Sequence, residues 1–70
     1  MQKGVRVLLR LTTDEGDAIV VNFANVLFME KGRDEHSEQT VVCMVGDINI
    51  LVQDDIDEIL ASYRREWKNA

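Results

Sequence analysis

The chain has 70 residues, of which 46% are hydrophobic and 30% charged, with four Gly and no Pro. This composition indicates one folded domain and excludes a disordered or low-complexity chain. Thirteen acidic against eight basic residues give a net charge of −5, which disfavours direct contact with a nucleic-acid backbone or an anionic membrane. The single cysteine, Cys43, has no partner for an internal disulfide, so the expected location is the cytoplasm. No apolar run reaches the roughly 20 residues of a spanning helix, and no membrane insertion is expected.

The elements in chain order predict a single α+β domain over residues 1–70, made of a small antiparallel sheet of about five strands with one C-terminal amphipathic helix packed on one face. The predicted strands cover residues 5–13, 17–23, 26–31, 40–45 and 48–53, and the predicted helix covers residues 55–68. The alternative prediction is an open barrel built from the same five strands. The third strand has four consecutive apolar residues, which also fit a buried helical turn.

The first two strands form a predicted hairpin. Residues 14–16 read Asp-Glu-Gly and fit a three-residue loop with Gly in the left-handed conformation. This loop places Leu9 opposite Val21 and sorts the strongest apolar side chains of both strands onto one face. A short corner at residues 22–25 leads to the third strand.

The last two strands form a second predicted hairpin, after a polar loop at residues 32–39. Gly46 and Asp47 fit a two-residue turn with Gly first, as a type II′ turn prefers. A two-residue turn places Cys43 opposite Ile50.

The helix is indicated by one apolar stripe at helical spacing. Its members are Ile56, Ile59, Leu60, Tyr63 and Trp67. Asp54 or Asp55 caps the start, and a first turn rich in acidic residues with Arg64 and Arg65 near the end complements the helix dipole.

The predicted registers give more apolar side chains than a single helix covers. The helix-covered face holds Val5, Val7, Leu9, Leu11, Ile19, Val21, Phe23, Val41, Cys43, Val45, Ile48, Ile50 and Val52. The opposite face holds Leu8, Val20, Val42, Met44 and Leu51, joined by either the pair Val26 and Phe28 or the pair Leu27 and Met29. Either the sheet curls into a small closed barrel, or this second face is an interaction face that is buried against another chain. We favour the second interpretation, with a homodimer as the simplest assembly, because so short a chain is also limited in its own stability.

Few residues suggest chemistry. His36 lies in the run 34–38 with a hydroxyl and three carboxylates, which fits either a metal or acid–base site or an ordinary polar loop. Cys43 alternates inward, as a small buried hydrophobic residue does. We favour the structural interpretation in both cases, and we expect no catalytic residue, no metal, no cofactor and no enzymatic activity.

Several short motifs resemble the small FlbD-like flagellar accessory proteins. They are Leu11-Thr12, Gly16, Val20-Val21-Asn22, residues 26–30, Thr40-Val41-Val42, residues 48–52 and Asp57-Glu58-Ile59, within residues 7–63. The chain is also similar, more faintly, to the strand part of LytTR-type DNA-binding domains. The FlbD-like resemblance implies a cytoplasmic bacterial accessory protein, without catalytic residues, linked to flagellar motor function. Two segments depart from the family pattern. The longer loop at 32–39 replaces the Pro-Asp-Thr that precedes the family's fourth strand, and Gly46-Asp47 stands where the family has an Asn-Gly turn.

The sequence as a whole predicts a non-enzymatic protein–protein interaction module. Its expected partners are a second copy of itself and another protein, which is not identified. The alternative hypothesis is an acidic protein of a mobile element or phage that mimics DNA or inhibits a nucleic-acid-binding partner. The negative charges gather at the turns and the helix start instead of in one broad stripe, and this favours the first hypothesis.

Overall fold

The computed structural model describes residues 7–69, which form five antiparallel strands in two sheets and one C-terminal helix. This is the predicted small α+β fold. The elements are β1 (Leu8–Thr12), β2 (Ala18–Asn22), β3 (Val26–Lys31), β4 (Thr40–Met44), β5 (Ile48–Val52) and α1 (Ile56–Asn69), with 3₁₀ turns at Phe23–Asn25 and Asp34–His36. The predicted strand residues 5 and 6 lie outside the described part of the chain.

The β1–β2 hairpin has the predicted loop and register. The N–H of Thr13 donates to the carbonyl of Asp17 at 2.8 Å, and the N–H of Gly16 donates back to the Thr13 carbonyl at 2.9 Å. Gly16 has φ 96°, a left-handed conformation that costs glycine little because it has no Cβ. Leu9 lies opposite Val21 as expected.

The predicted two-residue turn between β4 and β5 is wrong. Met44 pairs with Ile48, so the loop has three residues, 45–47, and both Gly46 and Asp47 have positive φ. The additional loop residue shifts the register by one and turns each β4 side chain to the opposite face from the predicted one. Val42 therefore lies in the core and pairs with Ile50.

The strands divide into a β1–β2 sheet and a β3–β4–β5 sheet instead of one continuous sheet. The two sheets meet at one corner, where Thr13 bridges Val52 and the N–H of Gln53 donates to the Thr12 carbonyl at 2.7 Å. Both sheets and the helix contribute to one hydrophobic core. Its buried members are Val7, Leu9, Leu11, Val21, Val42, Val52 and Ile59. Many of the apolar side chains that exceeded what one helix can cover are thus buried within the protomer. The sequence prediction missed this because it assumed a single sheet with one helix on one face.

The start of α1 shows which of the two candidate aspartates is the cap. Asp55 and Glu58 form a capping box, in which Glu58 Oε1 accepts from the Asp55 N–H at 3.0 Å. Asp54 instead joins the sheets: its Oδ1 accepts from the Thr12 N–H at 2.8 Å, and its carbonyl accepts from the buried Thr40 hydroxyl at 2.7 Å. In the described part of the chain, no helix has the length and apolar character needed to cross a membrane.

Candidate interaction surfaces

Four large apolar side chains gather at one end of the three-stranded sheet. We call this surface the hydrophobic end; it consists of Leu27, Phe28, Val45 and Ile48, which are 64%, 55%, 47% and 50% exposed. These four are the majority of the seven exposed large hydrophobic residues in the described part of the chain. All four lie at the end of the sheet where β3 starts, β4 ends and β5 starts, with Phe28 on the outer face and Ile48 on the other face, opposite Met44.

A β-bulge in β3 shapes the hydrophobic end. Val26 pairs with Met44 and Phe28 pairs with Cys43, so Leu27 is the additional residue of the bulge. Phe28 shares the outer face of the sheet with Cys43, whereas Val26 and Met29 pack against the core. The sequence prediction that either Val26 and Phe28 or Leu27 and Met29 join the outer face is therefore wrong, because the bulge divides both pairs.

Strand β3 is also the outer strand of its sheet. Its only paired neighbour among the described residues is β4, so the backbone groups on its other side have no strand partner there. An edge that carries exposed apolar side chains can accept a further strand. The hydrophobic end thus combines apolar side chains with hydrogen-bonding backbone groups.

The structure divides the five residues of the sequence-predicted interaction face. Val42 is 1% exposed and Met44 packs against the core, because the three-residue loop gives β4 the other register. Their assignment to this face was wrong. Leu51 is half-buried, on the opposite face of its sheet from the core residue Val52.

The other two residues of that predicted face, Leu8 and Val20, are 56% and 65% exposed on the β1–β2 hairpin. Val20 pairs with Arg10, next to the pair of Leu8 with Asn22. They form a second, smaller apolar surface. The sequence offered Leu27 for the outer face only in one of its two alternatives, and its assignment of Val45 and Ile48 to the helix-covered face is wrong, because both are about half exposed. The bulge and the loop that expose these residues have no distinctive residue pattern.

The loop that contains His36 is held by local hydrogen bonds. The N–H of Gly32 donates to the Gln39 carbonyl at 2.8 Å, and His36 Nδ1 lies 2.6 Å from Gln39 Oε1. His36 Nε2 is 3.8 Å from Glu35 Oε2. Within residues 7–69, no three His, Cys, Asp or Glu side chains are grouped so that they could hold a metal ion. Cys43 is a free, buried thiol.

A polar cleft of about 670 Å³ lies between this loop and the start of α1. Its lining residues are Lys31, Ser37, Glu38, Gln53, Asp55 and Glu58. Asp55 and Glu58 are occupied with capping the helix. Two of the carboxylates that line the cleft, those of Asp55 and Glu58, therefore have a structural role.

Comparison of the chain with protein-family models, with characterised proteins and with solved structures gave no match.

Proposed function

We propose that this chain is a non-enzymatic protein-interaction module that acts as a small homo-oligomer and binds a second protein through its hydrophobic end. The concentration of these four exposed apolar side chains at one end of one sheet, with Leu27 and Phe28 on its outer strand β3, carries the proposal. Single exposed apolar side chains are normal on a protein surface, whereas two large consecutive ones on a free sheet edge are typical of an interaction site.

The proposed occupant is an extended apolar segment of the partner protein. The backbone edge of β3 would pair with that segment by strand addition, and Leu27 and Phe28 would contact its side chains. Strand addition suits β3 because residues 28–31 continue beyond the bulge as a regular edge strand, and Leu27 and Phe28 are exposed at its start. The FlbD-like resemblance adds a setting to the proposal, the cytoplasmic side of a bacterial flagellar motor.

The experiment compares two doubly substituted variants with the wild-type chain as immobilised baits in cell extract. Leu27→Ser with Phe28→Ser removes the apolar character of the hydrophobic end. Leu8→Ser with Val20→Ser is the matched control, because it removes two side chains of similar exposure from the other hairpin. Circular dichroism establishes that both variants keep their fold.

We expect the wild type and the control to retain the same protein and the hydrophobic-end variant to lose it by at least about tenfold, as happens when central apolar contacts are removed. Hydrogen exchange of the complex should then show protection in β3. Equal retention by all three baits, or loss only in the Leu8 and Val20 variant, would contradict the proposal. Loss of binding only in the Leu8 and Val20 variant would indicate that the binding site lies on the β1–β2 hairpin, on two residues of the sequence-predicted interaction face.

A further inference from the structure

Strand β2 is the outer strand of the β1–β2 sheet, and its free edge carries no charge. Among the described residues, β1 is the only strand that pairs with β2. The sequence of β2, Ala-Ile-Val-Val-Asn over residues 18–22, contains no charged residue and no proline, and its pairing with β1 is regular throughout. Charges, prolines and bulges are the usual features that protect an exposed strand edge against pairing. The edge of β2 is therefore open to a further strand.

The backbone hydrogen bonds of the hairpin fix which groups of β2 point to this edge. At one end the N–H of Thr13 donates to the Asp17 carbonyl, and at the other end the N–H of Phe23 donates to the Val7 carbonyl. Hydrogen-bonded and non-hydrogen-bonded pairs alternate between these two ends. The odd-numbered residues of β2 thus bond to β1, and the outward N–H and C=O groups belong to the even-numbered residues, 18, 20 and 22.

These outward groups are arranged symmetrically about Val20. A two-fold axis through Val20, perpendicular to the sheet, brings a second, antiparallel copy of β2 into register with all three residues. The Val20 N–H then donates to the carbonyl of the partner's Val20 and its own carbonyl accepts in return, while the Asn22 N–H reaches the carbonyl of the partner's Ala18.

The side chains also match in this register. Val20 is 65% exposed and contacts the partner's Val20 on the outer face, as a pair of β-branched residues. On the other face, the half-buried Ile19 lies opposite the partner's Val21. Apolar surface is thus covered on both faces of the sheet.

The acidic loop of the hairpin favours an antiparallel copy over a parallel one. Asp14, Glu15 and Asp17 lie together before the start of β2. With the two-fold axis at Val20 and about 3.4 Å per residue, the two copies of Asp17 are about 20 Å apart along the strands. This separation exceeds the Debye length of about 8 Å at physiological salt, whereas a parallel copy would place the two acidic loops side by side.

We propose that two copies of this chain form a homodimer by antiparallel pairing of their β2 strands about a two-fold axis at Val20. The dimer has a continuous four-stranded sheet in place of two separate two-stranded ones, which gain stability from a lateral neighbour. The proposal rests on the homo-oligomeric part of the proposed function, because it supplies the interface. It does not depend on the protein that binds the hydrophobic end, since β3 stays free for that protein.

Hydrogen exchange, read by NMR for each amide, is the first test. Sedimentation velocity should show a dimer with a Kd of about 1 mM or tighter. At protein concentrations where the dimer forms, the amides of Val20 and Asn22 should gain protection that they lack in the monomer. The amides of Ile19 and Val21, which bond to β1, should be protected at both concentrations. A monomer at every concentration up to about 1 mM, or a dimer in which the Val20 amide still exchanges freely, would overturn the proposal.

Charge at the two-fold axis is the second test. Val20→Lys places two like charges directly opposite each other, so its dimer Kd should be at least about tenfold weaker than that of the wild type. Leu8→Lys is the matched control, because it makes the same change of charge at a residue of similar exposure one strand further from the axis. Its Kd should stay within about threefold of the wild-type value. An equimolar mixture of Val20→Lys and Val20→Glu should form a heterodimer, because opposite charges then meet at the axis.

The outcomes separate this interface from the other available edges. Equal weakening by Leu8→Lys and Val20→Lys, or no heterodimer from the mixture, would overturn the proposal. Assemblies larger than a dimer would also overturn it, because they would indicate that β2 of one copy pairs with β3 of the next. A wild-type dimer that disappears in the Leu27→Ser and Phe28→Ser variant would transfer the interface to the hydrophobic end. A dimer that persists in that variant while the captured protein is lost supports two separate surfaces. Circular dichroism checks the fold of each variant, and the hydrogen-exchange test needs no substitution.

Discussion

At the scale of single residues, Asp54 joins parts of the chain that are far apart in sequence. Its carboxylate accepts a hydrogen bond from the Thr12 N–H at the end of β1, and its backbone carbonyl accepts from the Thr40 hydroxyl at the start of β4. Thr40 is the one buried polar residue in the described part of the chain, and this bond satisfies its hydroxyl. A buried donor without an acceptor is costly, so Asp54 is a structural residue at the junction of the two sheets.

We expect Asp54→Ala to lower the free energy of unfolding by about 1 to 3 kcal/mol, because the Thr12 N–H loses its acceptor. Urea denaturation followed by circular dichroism measures the change. Asp54→Asn keeps an acceptor oxygen and should recover most of the loss. Asp17→Ala, which removes an exposed carboxylate from the other hairpin, controls for the change in net charge. Equal stability of Asp54→Ala and Asp17→Ala would show that the bond contributes nothing.

At the scale of elements, the orientation of β4 decides which side chains are in the core. Val42 is buried and lies next to Val41, which is half-buried on the other face and pairs with Glu30 and Leu51. The sequence-predicted register gave the opposite assignment. The two registers therefore make opposite predictions for the same conservative substitution at neighbouring positions.

We expect Val42→Thr to cost about 1 to 3 kcal/mol of unfolding free energy, because it places a hydroxyl in an apolar core without a partner. Val41→Thr should cost less than about 0.5 kcal/mol, since a partly exposed threonine suits a strand surface. Thermal or urea unfolding of the two variants under the same conditions measures the difference. The reverse order of stability would restore the two-residue turn and contradict the observed register.

The contrast between the two hairpins shows how far the sequence predicts this fold. The β1–β2 loop was predictable because a Gly at its third position has a defined left-handed role, and Gly16 adopts it. The β4–β5 loop was not, because Gly46 followed by Asp47 is compatible with more than one loop length, and Asp47 also adopts positive φ. The bulge at Leu27 has no residue signal, so the hydrophobic end was not predictable. The two sheets are joined only at the corner where Thr13 bridges Val52, and no residue pattern in the sequence marks that corner.

At the scale of the whole molecule, negative charge is concentrated where α1 begins. Glu38, Asp55 and Glu58 line the cleft beside the helix start, and Lys31 is the only cation among the lining residues. The chain also carries a net charge of −5. Mutual repulsion of these carboxylates opposes the compact state, while the helix dipole and the capping hydrogen bonds favour it.

We expect added NaCl to stabilise the isolated protomer. Screening between about 0.02 and 0.5 M reduces the repulsion among the carboxylates, and the free energy of unfolding should rise by about 0.5 kcal/mol. Salt also weakens the favourable interaction of the first-turn acids with the helix dipole, but that term is limited to the ends of one helix. Urea denaturation at a protein concentration low enough to keep the chain monomeric measures the net effect.

Glu38→Lys places a second cation in the cleft and should reduce the gain in unfolding free energy, because less repulsion is left to screen. Lower stability in high salt, with the same dependence in Glu38→Lys, would show that repulsion at the helix start does not limit the stability of this fold.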